Sequence, residues 1–269
     1  MWLFSDEYRE QPYLFFRPSK KLLLYLPFIY INMEKNQMSV DLSFVIPAYN
    51  EEYRIGMTLK TVIEYFAEQD YSTEIIVVDD GSNDKTTEIC AKFPQVRLLC
   101  QPQNMGKGAA VRRGMLEANG EYCLFSDADL STPIYETSRI LNELSNGYDV
   151  CIGSRAIESD LIRKHQPFYR EFMGKTFNKI VQMLVFKGIN DTQCGFKGFS
   201  KLSVQAIFPL TKIDGFGFDV EILYLATKFQ FKIKELPVEW YNDERSKVNP
   251  ITDSLKMFLE VLKIRRIHK

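Results

Sequence analysis

From Asp41 onward the chain repeats one pattern, a short run rich in Val, Ile and Phe followed by a longer segment with apolar residues at helical spacing. Few folds satisfy it. Strands that are each followed by a covering helix pair in parallel, so the pattern predicts an α/β fold with a mainly parallel sheet flanked by helices. Strands are expected over Leu42–Ile46, Glu74–Asp79, Val96–Leu99, Tyr122–Ser126 and Val150–Gly153. Helices are expected between them, over Arg54–Gln69, Asp84–Lys92, Lys107–Ala118 and Pro133–Leu144.

The regularity stops near Arg155. Beyond it the spacing predicts a helix over Phe168–Phe186, a loop over Gly188–Phe199, a helix over Asp219–Phe229 and an extended segment over Lys232–Trp240. Last comes an amphipathic helix over Asp253–Ile267, with apolar Leu255, Phe258, Leu259, Leu262 and Ile267 and late cations Lys263, Arg265, Arg266 and Lys269. That helix suits an anionic membrane surface, and equally a core-packed end whose cations complement the helix dipole.

Composition narrows the function. The formal net charge is −1, so the chain lacks the overall basic bias that would draw it to nucleic acid. Its five cysteines are scattered without a Cys-x-x-Cys pair, which fits a reducing, cytoplasmic compartment and reads them as small buried hydrophobes, with Cys194 set apart by its place in a motif. Two histidines make a His-rich zinc centre a poor expectation. The longest apolar stretch, Leu22 to Ile31, is interrupted by Pro27, is shorter than the ~20 residues that cross a bilayer, and has no small-residue cleavage site beside it. With Lys20 and Lys21 at its flank it either lies at a membrane interface or covers the core.

In parallel sheets, ligands bind beyond the carboxyl ends of the strands, so motifs there carry most weight. Strand four ends in Asp127-Ala128-Asp129. Two carboxylates so close repel unless a cation lies between them, which makes Asp127 and Asp129 candidate ligands of Mg²⁺ or Mn²⁺ bridging a diphosphate. Strand two ends in Asp79-Asp80-Gly81-Ser82-Asn83-Asp84, which turn and helix-capping chemistry also explains. Asp80 is the candidate acceptor for a base N–H. Gly106-Lys107-Gly108 opens a helix where Lys107 and free backbone N–H groups can meet phosphate, without the spacing of a P-loop.

Together, Val45-Ile46-Pro47-Ala48-Tyr49-Asn50-Glu51, Val77 to Ser82, Asn104 to Val111 and Asp127 to Leu130 resemble glycosyltransferase family 2 in order and spacing. Gly153-Ser154-Arg155, Asp191-Thr192-Gln193-Cys194-Gly195-Phe196-Lys197 and Ser246-Lys247 are similar to its polyprenyl-phosphate branch, which includes dolichyl-phosphate glucosyltransferases. The resemblance implies a GT-A fold. It divides the chain into an N-terminal extension over 1–40, a catalytic domain over 41–250, and a basic C-terminal helix over 251–269. Within the catalytic domain, 41–155 is the nucleotide-binding half and 156–250 the acceptor half.

The same resemblance implies that Pro47, Tyr49 and Glu51 line the nucleotide pocket with Ala128, that Asp80 reads the base, and that Asp127 and Asp129 hold metal and diphosphate. Arg155 and Lys247 would contact donor or acceptor phosphates, with Lys197 and Arg170 as further candidates. The implied reaction is inverting transfer of a hexose, glucose from UDP-glucose by preference, to a polyprenyl phosphate by an enzyme peripheral on the cytoplasmic face of a membrane. Mannosyl transfer from GDP-mannose, a soluble glycan acceptor and a non-catalytic sugar-nucleotide binder are the alternatives. An ionised acceptor phosphate needs no strong base, whereas a hydroxyl acceptor does, and Asp191 is the candidate for it. Two departures stand out: Ser131 replaces a Gln that related mannosyltransferases carry, and the membrane-spanning N-terminal helix usual in eukaryotic glucosyltransferases is not expected.

Overall fold

The computed structural model describes residues 40–164, 168–185, 188–243 and 252–269. Its first half follows the apolar runs: β1 (Leu42–Ala48), α1 (Ile55–Ala67), β2 (Thr73–Asp79), α2 (Thr86–Cys90), β3 (Val96–Cys100), α3 (Lys107–Glu117), β4 (Tyr122–Ser126), α4 (Glu136–Ser145) and β5 (Val150–Ser154). The second half adds β6 (Ile162–Lys164), α5 (Phe168–Leu184), β7 (Phe196–Ser200), α6 (Lys201–Ile207), α7 (Phe218–Lys228), β8 (Ile233–Pro237), β9 (Trp240–Tyr241) and α8 (Thr252–Ile267). Seven strands make one sheet in the order β3-β2-β1-β4-β7-β5-β8, and β6 pairs with β9 in a second, two-stranded one. Both halves of the chain therefore share a single sheet.

Alternation along β1 shows why both faces are covered. Leu42, Phe44 and Ile46 pack with Ile55, Leu59 and Val62 of α1 on one face. Val45 packs with Ala110, Val111 and Met115 of α3 on the other. The strand runs two residues past its expected end at Ile46. Its pairing with β4 stops at Val45, so Pro47, which has no N–H to give, falls where only β2 remains as a neighbour.

The loop expected over Gly188–Phe199 is corrected at its end, because Phe196–Ser200 forms β7, antiparallel to both β4 and β5 at the centre of the sheet. A lysine and a glycine inside Phe-Lys-Gly-Phe-Ser hide the strand pattern. Lys197 is nevertheless fully buried. Its ammonium pairs with Asp219 of α7, donates to the Cys194 carbonyl and lies 5.5 Å from the Phe125 ring centroid. The helix α6, which follows directly, was also not expected; the Ser200 side chain caps it by accepting from Ser203 N.

Four cysteines are buried and all five are free thiols, with Cys100 exposed where a buried side chain was expected. At the carboxyl end, α8 packs through Val261 and Ile264, while Leu255, Leu259 and Leu262, which the core-packed reading would place inward, face outward. Among the described residues no helix is long and apolar enough to cross a membrane.

The buried pair gives a stability prediction. Lys197→Met removes the ion-pair partner of the buried Asp219 carboxylate and should cost about 3–5 kcal/mol in urea denaturation. Adding Asp219→Leu should recover much of that loss, because an apolar pair needs no partner charge.

Candidate functional site

After β1 the chain builds outward to β2 and β3, then returns to place β4 on the other side of β1. Loops leaving β1 and β4 diverge there, opening a crevice at their carboxyl ends. Asp127, Ala128 and Asp129 follow β4 at this point, and Tyr49 to Glu51 follow β1.

The turn after β4 is closely specified. Asp127 N donates to Gly195 O (3.1 Å), Leu130 N to Asp127 O (3.2 Å) and Ser131 N to Asp129 Oδ1 (2.9 Å). Leu130 has φ +47°, a left-handed conformation that is costly for a leucine and is held by these bonds. Gly195 lies against the Asp127 carboxylate so closely that a Cβ there would come within 2.1 Å of Oδ2. Only glycine leaves that carboxylate its place.

Cations answer the two acids. Lys107, the first residue of α3, brings Nζ to 2.6 Å from Asp127 Oδ1, an oxygen that otherwise accepts no hydrogen bond. Burial disfavours the Lys107 ammonium, but the carboxylates of Asp127 and Asp219 outweigh it and raise the pKa. Arg54 Nη1 lies 3.9 Å from Asp129 Oδ2 and 2.9 Å from Asp243 Oδ2, while its Nε bonds Glu51. Burial, and then the charge of Asp127, push the Asp129 carboxyl upward. A divalent ion would relieve that repulsion. Among the described residues no group of three His, Cys, Asp or Glu side chains is gathered. Two carboxylates with diphosphate oxygens and water completing the shell is how Mg²⁺ and similar ions are commonly held, so the donor set fits.

At the end of β2 the two adjacent acids differ. Asp80, the expected base reader, is buried with both oxygens engaged: Oδ1 accepts from Gln101 Nε2 (2.6 Å) and Met105 N (2.8 Å), Oδ2 from Gly106 N (2.9 Å). It therefore shapes the loop that delivers Lys107. Asp79 Oδ2 accepts from Ser82 N (3.1 Å), whereas its Oδ1 is buried with no hydrogen-bond partner. Asp79 lines a crevice of about 380 Å³ with Ser82, Gln101 and Asn104.

The remaining expected residues separate into groups. Glu51 and Tyr49 are half-buried in the loop after β1, whereas Pro47 is buried within β1 opposite Val78 and Ala128 is buried with its carbonyl accepting from Thr58 Oγ1 (2.6 Å). Arg155 follows β5 and holds Asp191 in a fork, Nε to Oδ2 at 2.7 Å and Nη2 to Oδ1 at 2.9 Å, with Arg155 N adding a third bond. Its guanidinium lies 5.5 Å from the Trp240 ring centroid, and the Nη1 edge is outside the fork. Burial opposes charge on Asp191, but Arg155 prevails and holds its pKa down at about 2. Such a carboxylate is a weak base. Lys197 sits beneath the site, paired with Asp219, and does not reach the crevice surface. Arg170 lies on α5 with its side chain outside the described residues, as is all of Lys247. Cys194 is a buried thiol raised by burial to about 11.

Sequence reasoning missed Asp79, Arg54, Gly195, Asp219 and Asp243. Gly195 stood inside a quoted motif, but its contact with Asp127 joins the ends of neighbouring strands β4 and β7, far apart in the chain, and leaves no local signal.

Residues 43–208 match the signature of Glycosyl transferase family 2. The chain belongs to that family. Curated relatives include dolichyl-phosphate beta-glucosyltransferases of Dictyostelium discoideum, 37% identical over 87% of this chain and 77% of that one, and of Saccharomyces cerevisiae, 35% identical over 87% and 77%. The human protein of that name is 35% identical over 84% of this chain and 75% of its own. Among solved structures, glucosyl-3-phosphoglycerate synthase of Mycobacterium tuberculosis with uridine diphosphate superposes with a TM-score of 0.60 at 18% identity, covering 84% of this chain and 80% of that one. This confirms the GT-A fold. A family 2 member with this sheet is a glycosyltransferase, and the inverting course is general to the family.

Two predictions follow from the site. Gly195→Ala should displace the Asp127 carboxylate and reduce turnover on the order of 100-fold, as about 1 Å of misplacement does, with circular dichroism unchanged. Asp191 has a folded pKa of about 2, below its ordinary 3.8, so its stabilisation is complete above the ordinary value and disappears as pH falls toward 2. Acid denaturation should show wild type exceeding Asp191→Asn by about 2 kcal/mol at neutral pH, with the gap closing between about pH 4 and pH 2.

Proposed function

We propose that this enzyme transfers glucose from UDP-glucose to a polyprenyl phosphate of the dolichyl type at the cytoplasmic face of a membrane. The observation that carries the reading is the Arg155–Asp191 fork beside the Asp127–Asp129 turn. Its carboxylate is locked in an ion pair and is unsuited to deprotonate a hydroxyl, while the guanidinium keeps an edge for an anion. An acceptor that arrives already ionised needs such an edge and no base. The relatives named for dolichyl phosphate, and the mycobacterial structures that contain Mn²⁺ with UDP-glucose, point the same way.

In this reading the base lies in the crevice lined by Asp79, whose unpaired Oδ1 would accept from a ring N–H. The donor diphosphate lies at the start of α3 near Lys107. Asp127 and Asp129 would hold Mg²⁺ or Mn²⁺, which when bound supplies positive charge for the departing diphosphate. Arg155 orients the acceptor phosphate, and its oxygen attacks the anomeric carbon from the face opposite the leaving group. One C–O bond forms as the other breaks, the electron pair leaves with the nucleoside diphosphate, and the anomeric centre inverts. Lys107 remains protonated throughout and offsets the charge left behind. Residues 41–250 form the catalytic unit in this scheme.

UDP release from UDP-glucose with Mn²⁺ should require added polyprenyl phosphate, and equal release without the lipid would overturn the acceptor assignment. Asp129→Asn should lower the lipid-dependent rate at least about 10²–10³-fold while the melting temperature stays within a few degrees of wild type.

A further inference from the structure

The C-terminal helix presents an unusual outer face. Its inner face is fastened: Val261 and Ile264 are buried, Glu260 Oε2 accepts from Gly217 N (2.8 Å), and His268 Nε2 lies 2.6 Å from Glu221 Oε1. Every exposed position among the described side chains of residues 255–269 is Leu, Lys or Arg: Leu255, Lys256, Leu259, Leu262, Lys263, Arg265, Arg266 and Lys269. The leucines are 60%, 48% and 49% exposed. At 100° per residue they form one stripe, with Lys256 and Lys263 along one side, Arg265 and Lys269 along the other, and Arg266 continuing it. Met183, two residues before the Val185 carbonyl that accepts from Arg265 (3.2 Å), is 80% exposed on the adjoining helix.

A protein of net charge −1 has here gathered cations around apolar side chains with no exposed acid among them. We propose that this face of α8 docks on an anionic bilayer surface, the leucines entering the headgroup boundary and the cations meeting lipid phosphates and carboxylates. The inference rests on the lipid-acceptor reading and supplies its missing surface. Charge complementarity selects the occupant. A second copy of α8 would set like charges together, and the apolar run Leu22 to Ile31 brings Lys20 and Lys21 of the same sign. Each Lys or Arg near an anionic surface strengthens binding about fivefold, and a stripe of leucines adds burial.

The face is also connected to the site. A Cβ on Gly215 or Gly217 would approach the Glu260 carboxylate to 2.3 or 2.7 Å, so the 214–217 loop lies directly on α8. Asp214 O accepts from Gly108 N (2.7 Å) and Ala109 N (3.3 Å), in the turn that places Lys107 on Asp127. Docking α8 therefore fixes the loop behind the diphosphate end of the crevice against the membrane.

Flotation of the full chain with phosphatidylcholine vesicles, with and without phosphatidylserine, tests the proposal. Wild type should bind only the anionic vesicles and release in high salt. Leu259→Ser/Leu262→Ser and, separately, Lys263→Glu/Arg266→Glu should each weaken binding at least about tenfold. Melting temperature and transfer to detergent-dispersed polyprenyl phosphate should stay at wild-type levels in both. Wild type that ignores anionic vesicles, or variants that bind as wild type does, would overturn the docking face. So would a concentration-dependent dimer abolished by the leucine substitutions with vesicle binding intact. If vesicle binding behaves as stated but dispersed polyprenyl phosphate accepts no sugar, the docking stands and the acceptor reading falls.

Discussion

Two carboxylates at the end of β4, one residue apart, set the problem that the surrounding structure answers. Burial, and then their mutual repulsion, pushes the Asp129 carboxyl up, and nearby cations are arranged against it: Lys107 on Asp127 and Arg54 toward Asp129. Deeper in, Asp219 lies between Lys107 and Lys197, and Asp191 feels both Lys197 and Arg155. Charges thus alternate from Lys107 through Asp219 and Lys197 to Asp191 and Arg155. In a poorly solvated site such fixed charges need little reorganisation when a diphosphate departs, which is how an enzyme lowers the barrier by electrostatics.

Geometry makes the arrangement possible. The strand order reverses between β1 and β4, so a crevice opens where their loops part. Antiparallel β7 then enters beside β4, and the residue just before it, Gly195, lies against the Asp127 carboxylate from the second half of the chain. The Asp127–Asp129 turn and the Asp191–Lys197 loop are therefore one structural unit, although more than sixty residues of chain separate them. A single sheet carries both, which leaves the two segments little freedom to move apart.

Much of this was legible in the sequence where local physics decides. The first five strands and four helices follow apolar periodicity, and their ends differ from expectation by three residues or fewer. The Asp127–Asp129 pair was found because repulsion between adjacent acids is visible in one dimension. What escaped depends on partners far away in the chain. The charge of Lys197 hid β7 because its neutraliser, Asp219, belongs to a different helix. The choice between Asp79 and Asp80 turns on which side chain the loop at Met105 and Gly106 engages. In α8 the period announced a helix but not its orientation, since Val and Ile pack inward while the leucines point out.

The central claim is that Asp127 and Asp129 together bind a divalent ion that secures the nucleoside diphosphate. Titration calorimetry of UDP against the protein, with Mn²⁺ and then with excess chelator, tests it most directly. The account predicts Mn²⁺-dependent binding that weakens at least about tenfold under chelation and becomes indifferent to Mn²⁺ in Asp127→Asn/Asp129→Asn. Equal UDP affinity with and without the ion in the wild-type protein would contradict it.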